Sequence, residues 1–344
     1  MKVREWDPAT ASDAEVRAIL DALNEVIATD MPDDPPWRES HFREYLAVTM
    51  PGERRVCWLA EESDGSPTGY ASLLLLDDIG VLELYVRPAA RRGHVGSRLL
   101  EAAAQRAAVD GYGSLGVEVV GGTHSVEFFE SHGFRCAFVE MRNVLDLGGV
   151  DWPRVGEMAA IGAGYRIEYH PGGPPEDMFA GYAQAKETAR LADAGDLELR
   201  PSSYDAERLR ASLATLHARG LKPYIVLAVH ESSEQIVGLT EVVVPVQRPT
   251  RADQYDTVVV PKHTSYGIDR ALKAHMLFEL RAAEPGLREV QTWNDVENDP
   301  MWKVNSELGF RPDREWREYE ADVPQLLRHF GARRTDRDTA EFRA

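Results

Sequence analysis

Apolar residues fall along this chain in two kinds of run, some at helical spacing and some as short strand-like blocks. From Asp13 to Ile27 the apolar positions Val16, Ile19, Leu20 and Leu23 recur at the spacing that gives a helix one buried face. A strand near Val3 to Trp6 precedes this helix, and a second helix covers Glu39 to Val48. Strand-like blocks follow at Arg55 to Glu61, Gly69 to Leu76 and Gly80 to Val86, punctuated by Asp64-Gly65 and Asp78. The pattern then predicts a helix over Val95 to Val109, a strand over Leu115 to Val120, a short helix over Ser125 to His132 and a closing strand from Phe138 to Leu147. From Tyr165 onward the same order begins again, with a long helix striped by Ile268, Leu272, Met276 and Leu280.

The repetition extends to individual residues. Cys57-Trp-Leu-Ala-Glu-Glu-Ser63 lines up with Val226-Leu-Ala-Val-His-Glu-Ser232 at an offset of 169, which Gly69 and Gly238 keep. Val86-Arg-Pro88 matches Val259-Val-Pro261 at 173, and Gly133-Phe134 matches Gly309-Phe310 at 176. A slowly growing offset is what duplication followed by small insertions leaves behind. The expected organisation is an N-terminal domain over 1–148, a C-terminal domain over 149–333 and a loose charged tail over 334–344. The Gly- and Pro-rich stretch from Gly162 to Pro175 leads into the second copy.

Length and composition agree with two globular domains: 344 residues, 43% hydrophobic and 28% charged. Apolar runs such as Leu73 to Leu76 are far too short to span a bilayer, and Met1-Lys-Val-Arg-Glu5 lacks the apolar core of a signal peptide. Cys57 and Cys136 offer neither a disulfide framework nor metal-ligand spacing, and both are expected to be buried, inert thiols. These features point to a cytoplasmic protein with no membrane partner and no metal. The formal charge of −18 opposes a nucleic-acid partner and favours a cationic small molecule. It fits a purely solubilising role as well.

The most informative segment runs from Leu82 to Leu100. A strand ends at Pro88, a turn holds Arg91, Arg92, Gly93, His94 and Gly96, and a helix starts near Val95. Unpaired N–H groups and the positive end of the dipole gather at such a helix start. Glycines let a ligand approach the backbone, and arginines pair with phosphate oxygens. The turn therefore reads as a pyrophosphate cradle, or as a Gly-rich turn with solvated arginines.

This strand–loop–helix, followed by a strand and Phe128-Phe-Glu-Ser-His-Gly-Phe134, resembles the GNAT acyltransferase superfamily. The second copy resembles it through Gln291 to Phe310, and the whole is similar to actinobacterial tandem GNAT proteins. The resemblance implies an α/β fold of two tandem domains, each a twisted mixed sheet flanked by helices. It implies acetyl-CoA or another acyl-CoA in a V-shaped gap between the fourth and fifth strands. The backbone of Leu84, Tyr85 and Val86 would face the pantetheine, and Arg91, Arg92, Gly93, His94, Val95, Gly96 and Ser97 the pyrophosphate. His94 stands where the family pattern has its middle glycine. In the second copy the corresponding places are Val259, Val260, Gly267, Asn294 and Asn298. Its loop has Thr264 where a basic residue belongs, and Asp269 would repel a pyrophosphate or cap the helix itself. The cofactor site is therefore expected in the first copy, while Asn294 and Asn298, which match family positions, leave a remodelled pocket in the second copy open.

By the same resemblance Glu83 matches a general-base position, with Glu118 a second candidate. The family's acidic tyrosine is replaced by Phe129, also a candidate cofactor contact, and by Asn305 in the second copy. Tyr85 or His124 is left as the acid, unless water serves. The acceptor pocket is expected around Asp30, Asp33, Asp34 and Trp37, whose carboxylates and indole suit a cationic amine or a solvated, Pro-fixed turn. The expected activity is direct N-acylation of a small-molecule amine, by a monomer or a homodimer. Two other readings stand beside it: a non-catalytic ligand-binding pseudo-acyltransferase, and a transferase using an aminoacyl-tRNA donor.

Overall fold

A computed structural model of the chain describes residues 1–50, 52–76, 79–192, 204–297 and 299–341. In the first half the elements are β1 (Lys2–Trp6), α1 (Asp13–Asp30), α2 (Glu39–Ala47), β2 (Arg54–Glu61), β3 (Pro67–Leu76), β4 (Ile79–Val86), α3 (Val95–Val109), β5 (Ser114–Val120), α4 (His124–Ser131) and β6 (Arg135–Asp146). The second half has α5 (Trp152–Met158), β7 (Tyr165–Pro171), α6 (Phe179–Ala192), α7 (Ala206–Ala218), β8 (Leu221–His230), β9 (Gln235–Pro245), β10 (Arg251–Val259), α8 (Ile268–Ala283), β11 (Glu289–Asp295), α9 (Asp299–Leu308), β12 (Arg311–Asp322) and α10 (Val323–Glu341). The stretch beyond Arg333, expected to be loose, is helical as far as Glu341.

The chain divides into two compact units, and the division is not the expected cut at 148. One unit contains Met1–Val139 together with 316–341; the other contains 140–192 and 204–315. The cause is an exchange of closing strands. In the first unit β12 pairs antiparallel with β5, Trp316 opposite Val120 through Asp322 opposite Ser114. In the second, β6 pairs antiparallel with β11, Glu140 opposite Asp295 through Asp146 opposite Glu289. The sheet of the first unit therefore runs β1-β2-β3-β4-β5-β12, and that of the second β7-β8-β9-β10-β11-β6. Each half of the chain supplies the last strand of the other half's sheet.

Helices cover both faces of the first unit's sheet. On one face α3, α4 and α10 bury Leu82, Leu99, Val117, Phe129, Tyr319, Leu326 and Phe330 in a single core. On the other, α1 and α2 pack Val16, Ile19, Leu20 and Phe42 against Trp6, Cys57, Leu59 and Tyr70. Ser12 and Glu15 cap α1 reciprocally, which fixes where it starts. Cys57 is buried as expected, but Cys136 is exposed on β6.

The two copies share one tight fit. A Cβ on Gly69 would lie 2.9 Å from both Leu99 and Val95 in α3, and one on Gly238 would lie 3.0 Å from Ile268 in α8. Only glycine lets the first turn of that helix press onto the sheet. Gly69 faces Val86 across the strands and Gly238 faces Val259, which sets a common register. That register corrects one sequence match: Trp58 and Val226 are the equivalent residues, because they pair with Ala71 and Thr240. A slip of one residue in a strand changes the face, so pairing Cys57 with Val226 put opposite faces together.

A fragment of residues 1–148 lacks β12 and α10, and its core lacks Tyr319, Leu326 and Phe330. It is expected to show no cooperative melting transition by near-UV circular dichroism. In the full chain Leu326→Ala is expected to lower unfolding free energy in urea by about 2–5 kcal/mol.

Candidate functional site

In the first unit β4 and β5 run parallel, but their ladder covers only Ile79–Val81 against Ser114–Gly116. Beyond it, among the described residues, no strand pairs with that edge of β4, while β3 holds the opposite edge as far as Val86. Leu84, Tyr85 and Val86 thus line the open side of a V, the gap the resemblance implies. Unpaired backbone groups on such an edge can pair with an extended amide chain. The second unit repeats the opening, since β10 pairs with β11 only from Arg251 to Gln254.

The V opens toward the loop between β4 and α3. Pro88–Ala90 form a single 3₁₀ turn, and His94 caps α3 without any side-chain hydrogen bond. The first N–H groups of this helix, including those of Val95, Gly96 and Ser97, are thus left uncapped by any side chain, as an anion site requires. Arg92 and His94 both take left-handed φ, 64° and 63°. That conformation costs a non-glycine residue about 1–2 kcal/mol. Gly96 owes its place to packing, because a Cβ there would sit 3.1 Å from the Phe128 ring. Ser97 Oγ lies 3.0 Å from His132 Nε2, whose Nδ1 donates to the carbonyl of Phe128, so the hydroxyl is held inside the unit.

Arg91 and Asp30, expected at the cofactor and at the acceptor, are brought together. Arg91 Nη1 and Nη2 donate to the two carboxylate oxygens of Asp30 at 2.8 and 2.6 Å. Arg87 donates to Glu25 at 2.6 Å, so two ion pairs tie α1 to the end of β4 and the loop. Of the two loop arginines Arg92 is the exposed one.

Strand alternation sends Glu83 and Tyr85 to the face covered by α1 and α2. Tyr45 Oη, from α2, donates to Glu83 Oε1 at 2.6 Å. Arg55, from β2, donates to Tyr45 Oη and to Ser72 Oγ, each at 2.8 Å, and its Nη1 lies 3.6 Å from Glu83 Oε2. The Arg55 side chain is 6% exposed and that of Glu83 is 32% exposed, so the carboxylate still meets solvent. Burial works against the charge on Arg55, and Tyr45 and Glu83 more than offset it. Tyr45 is pushed well up, first by burial and then by Glu83. Tyr45 and Arg55 escaped sequence reasoning; the available signal was a cation beside the buried run Val56 to Ala60.

Tyr85 stacks near Tyr70 at 6.4 Å between ring centres, and burial followed by Glu83 and Glu118 raises its phenol. Glu118 lies on β5 opposite Glu318 of β12. It keeps contact with water, yet desolvation by the atoms crowded around it, and then the charge of Glu83, push its carboxyl up. Phe129 is 3% exposed in the core, packed on Phe134 at 5.0 Å, and has almost no surface to offer a cofactor. His124 is exposed at the start of α4.

Trp37 is fixed by Asn24, whose side chain bonds both its carbonyl and its N–H. Its ring stacks on His41 at 4.4 Å and meets Tyr45 edge-on at 5.3 Å. An aromatic path therefore leads from the link between α1 and α2 to Glu83. Asp33 is exposed and Asp34 half-buried on the same link.

In the second unit the corresponding helix also starts from a left-handed residue with no side-chain cap, but it carries a carboxylate in its first turn. Gly267, at φ 66°, precedes α8, and Asp269 stands in its first turn without serving as the cap residue. Val259 ends β10, and the N–H of Val260 bonds the carbonyl of Val237. Asn298 lies outside the described residues. Asn294 accepts from Asn305 and, at 3.4 Å, from Asn143, so its carbonyl oxygen is engaged within the unit. Asn305 in turn accepts from Lys273 at 2.6 Å, and both are 1% exposed. Where the first unit buries Leu100 and Phe129, the second buries this lysine–asparagine pair.

Burial lowers the Lys273 ammonium to about 7, against a small opposing effect from Asp269. A depressed lysine binds its proton less tightly folded than unfolded. Its cost is complete below pH 7 and fades as the pH rises toward its unfolded value of about 10.4. Lys273→Met is expected to raise unfolding free energy at pH 7. Compared with wild type, it is also expected to flatten the rise in stability between pH 7 and 10, read from urea titrations.

Residues 20–134 match the Acetyltransferase (GNAT) family. No curated protein matches the chain. Among solved structures, a tandem GNAT protein from the clavulanic acid biosynthesis pathway is similar at 23% identity and a TM-score of 0.79, covering 94% of this chain and 98% of that one. A GCN5-related N-acetyltransferase from Sphaerobacter thermophilus is similar at 17% identity and a TM-score of 0.69, covering 94% and 95%. A glucosamine N-acetyltransferase region of a fungal multi-domain β-N-acetylglucosaminidase is similar at 13% identity and 0.64, covering 93% of this chain and 38% of that one. At these identities the likeness concerns the fold. The chain has the fold of a tandem GNAT protein, and its residues 20–134 match the Acetyltransferase (GNAT) family model.

Proposed function

We propose that the first unit transfers an acyl group from acyl-CoA, with acetyl-CoA the expected donor, to an amine of a small cationic molecule. The observation that carries this reading is the open edge of β4 beyond Val81, which leads to the side-chain-uncapped start of α3 and has Glu83 on the adjoining face. Backbone groups of Leu84, Tyr85 and Val86 would pair with the pantetheine. The loop amides and Arg92 would meet the phosphates, with Arg91 engaged by Asp30.

The acceptor reaches the site as an ammonium and must lose a proton before it can attack. Glu83 takes that proton, held in place by Tyr45 and with Arg55 beside it. The amine nitrogen then bonds to the thioester carbon, the carbon–sulfur bond breaks, and the second proton shed by that nitrogen passes through water to the departing thiolate. Trp37 and the carboxylates of Asp33 and Asp34 would receive the cationic end of the acceptor.

Release of free thiol from acetyl-CoA across a panel of primary amines tests the reading. Glu83→Gln is expected to lower kcat by about 10²–10⁴ with little change in KM for acetyl-CoA. Arg92→Glu is expected to raise that KM and leave kcat nearly unchanged. Tight binding of acetyl-CoA without turnover on any amine would instead favour a ligand-binding protein, the reading suggested by Phe129 and Asn305 in the tyrosine places.

A further inference from the structure

The second unit holds a charged cluster on the face of its sheet that corresponds to the α1/α2 side of the first. Lys186, on α6, is 7% exposed, and its Nζ lies 2.9 and 2.8 Å from the two oxygens of Glu241 and 2.7 Å from Asp256 Oδ2. The rings of Tyr204 and Tyr182 stand 5.0 and 5.8 Å from the same nitrogen. Tyr182 also donates its hydroxyl to Glu241. Two carboxylates and two aromatic rings around one nitrogen are the chemistry that recognises a primary ammonium.

The strand register shows what this place corresponds to. Counting three residues inward from the pair Gly69 and Val86 gives Ser72 and Glu83, which face each other. The same count from Gly238 and Val259 gives Glu241 and Asp256, beside the irregularity in β10. The carboxylate of Asp256 therefore holds the place of Glu83, and Glu241 that of Ser72. The cation that accompanies Glu83 in the first unit, Arg55, pairs with Leu74; its counterpart, opposite Val243, is Pro223. The sheet of the second unit supplies no cation there, and a helix does so instead.

We infer that the second unit carries a binding cage for a primary alkylammonium group, and that Lys186 fills it from within the chain. With the cage filled, the second unit admits no amine at the place that corresponds to Glu83. Lys186 is no acyl acceptor either, because three carboxylate contacts hold it as an ammonium, which has no lone pair for attack.

Lys186→Ala in the full chain removes the side chain beyond Cβ, which n-propylammonium matches atom for atom. The variant is expected to melt below wild type, and millimolar n-propylammonium chloride to restore most of that loss. Sodium chloride and n-propanol are expected to restore none, and wild type to gain nothing. Adding Glu241→Gln is expected to abolish the rescue. Absence of rescue in Lys186→Ala, or an equal gain in wild type, would overturn the inference. Should the variant fail to fold, reductive methylation of native wild type followed by peptide mass spectrometry decides. Lys186 is expected to stay unmodified while the exposed Lys262 reacts, and equal reaction at both rejects the cage. Neither readout involves acyl transfer, so the inference stands or falls apart from the function proposed for the first unit.

Discussion

Two parallel strands that pair for three residues and then part are the constraint on which the first unit's site depends. While β4 and β5 are joined, from Ile79 to Val81, the sheet is an ordinary ladder. Once they separate, backbone groups of β4 are left on an open edge, to which an extended chain can add. The crossover between the two strands is the loop and α3, so the helix start necessarily lies near the mouth of the opening. Gly69 lets α3 sit tightly on the sheet there, where a Cβ would meet Val95 and Leu99 at 2.9 Å.

The same opening explains why the fifth strand needs support from its far side. β5 has a partner on the β4 side for three residues only, and β12 pairs with it along its full length. That strand comes from the other half of the chain, as does α10, whose Leu326 and Phe330 complete the core under α3. β6 does the corresponding service for β11. Duplication has thus produced two units whose cores each contain residues from both halves of the sequence.

Within this shared frame the charges have diverged. The first unit keeps an accessible carboxylate, Glu83, steadied by Tyr45 and Arg55 from separate elements. In the second, Asp256 shares Lys186 with Glu241, and the buried pair Lys273 and Asn305 replaces an apolar one. Buried charges persist only where partners offset their desolvation, and Lys186 and Lys273 show the two outcomes. Lys186 has two carboxylates and stays charged. Lys273 has one amide oxygen, and its ammonium is lowered to about 7.

The sequence by itself determined most of the elements, their order, the duplication and the loop before α3, because each is written in local spacing, though α5 and the helix beyond Arg333 are not read from it. Val16, Ile19, Leu20 and Leu23 mark a helix whatever surrounds them, and glycines and arginines between a strand and a helix mark a turn into a helix start. Only the tertiary structure decided which sheet β6 and β12 enter, since a strand's pattern names its buried face and not its neighbour. It also decided that Asp30 engages Arg91, residues 61 positions apart in the chain. The same holds for Tyr45 with Glu83 and for Lys186 with Glu241 and Asp256. An ion pair forms where folding places opposite charges within a few ångströms, and that distance is set by long-range register rather than by any neighbouring residue.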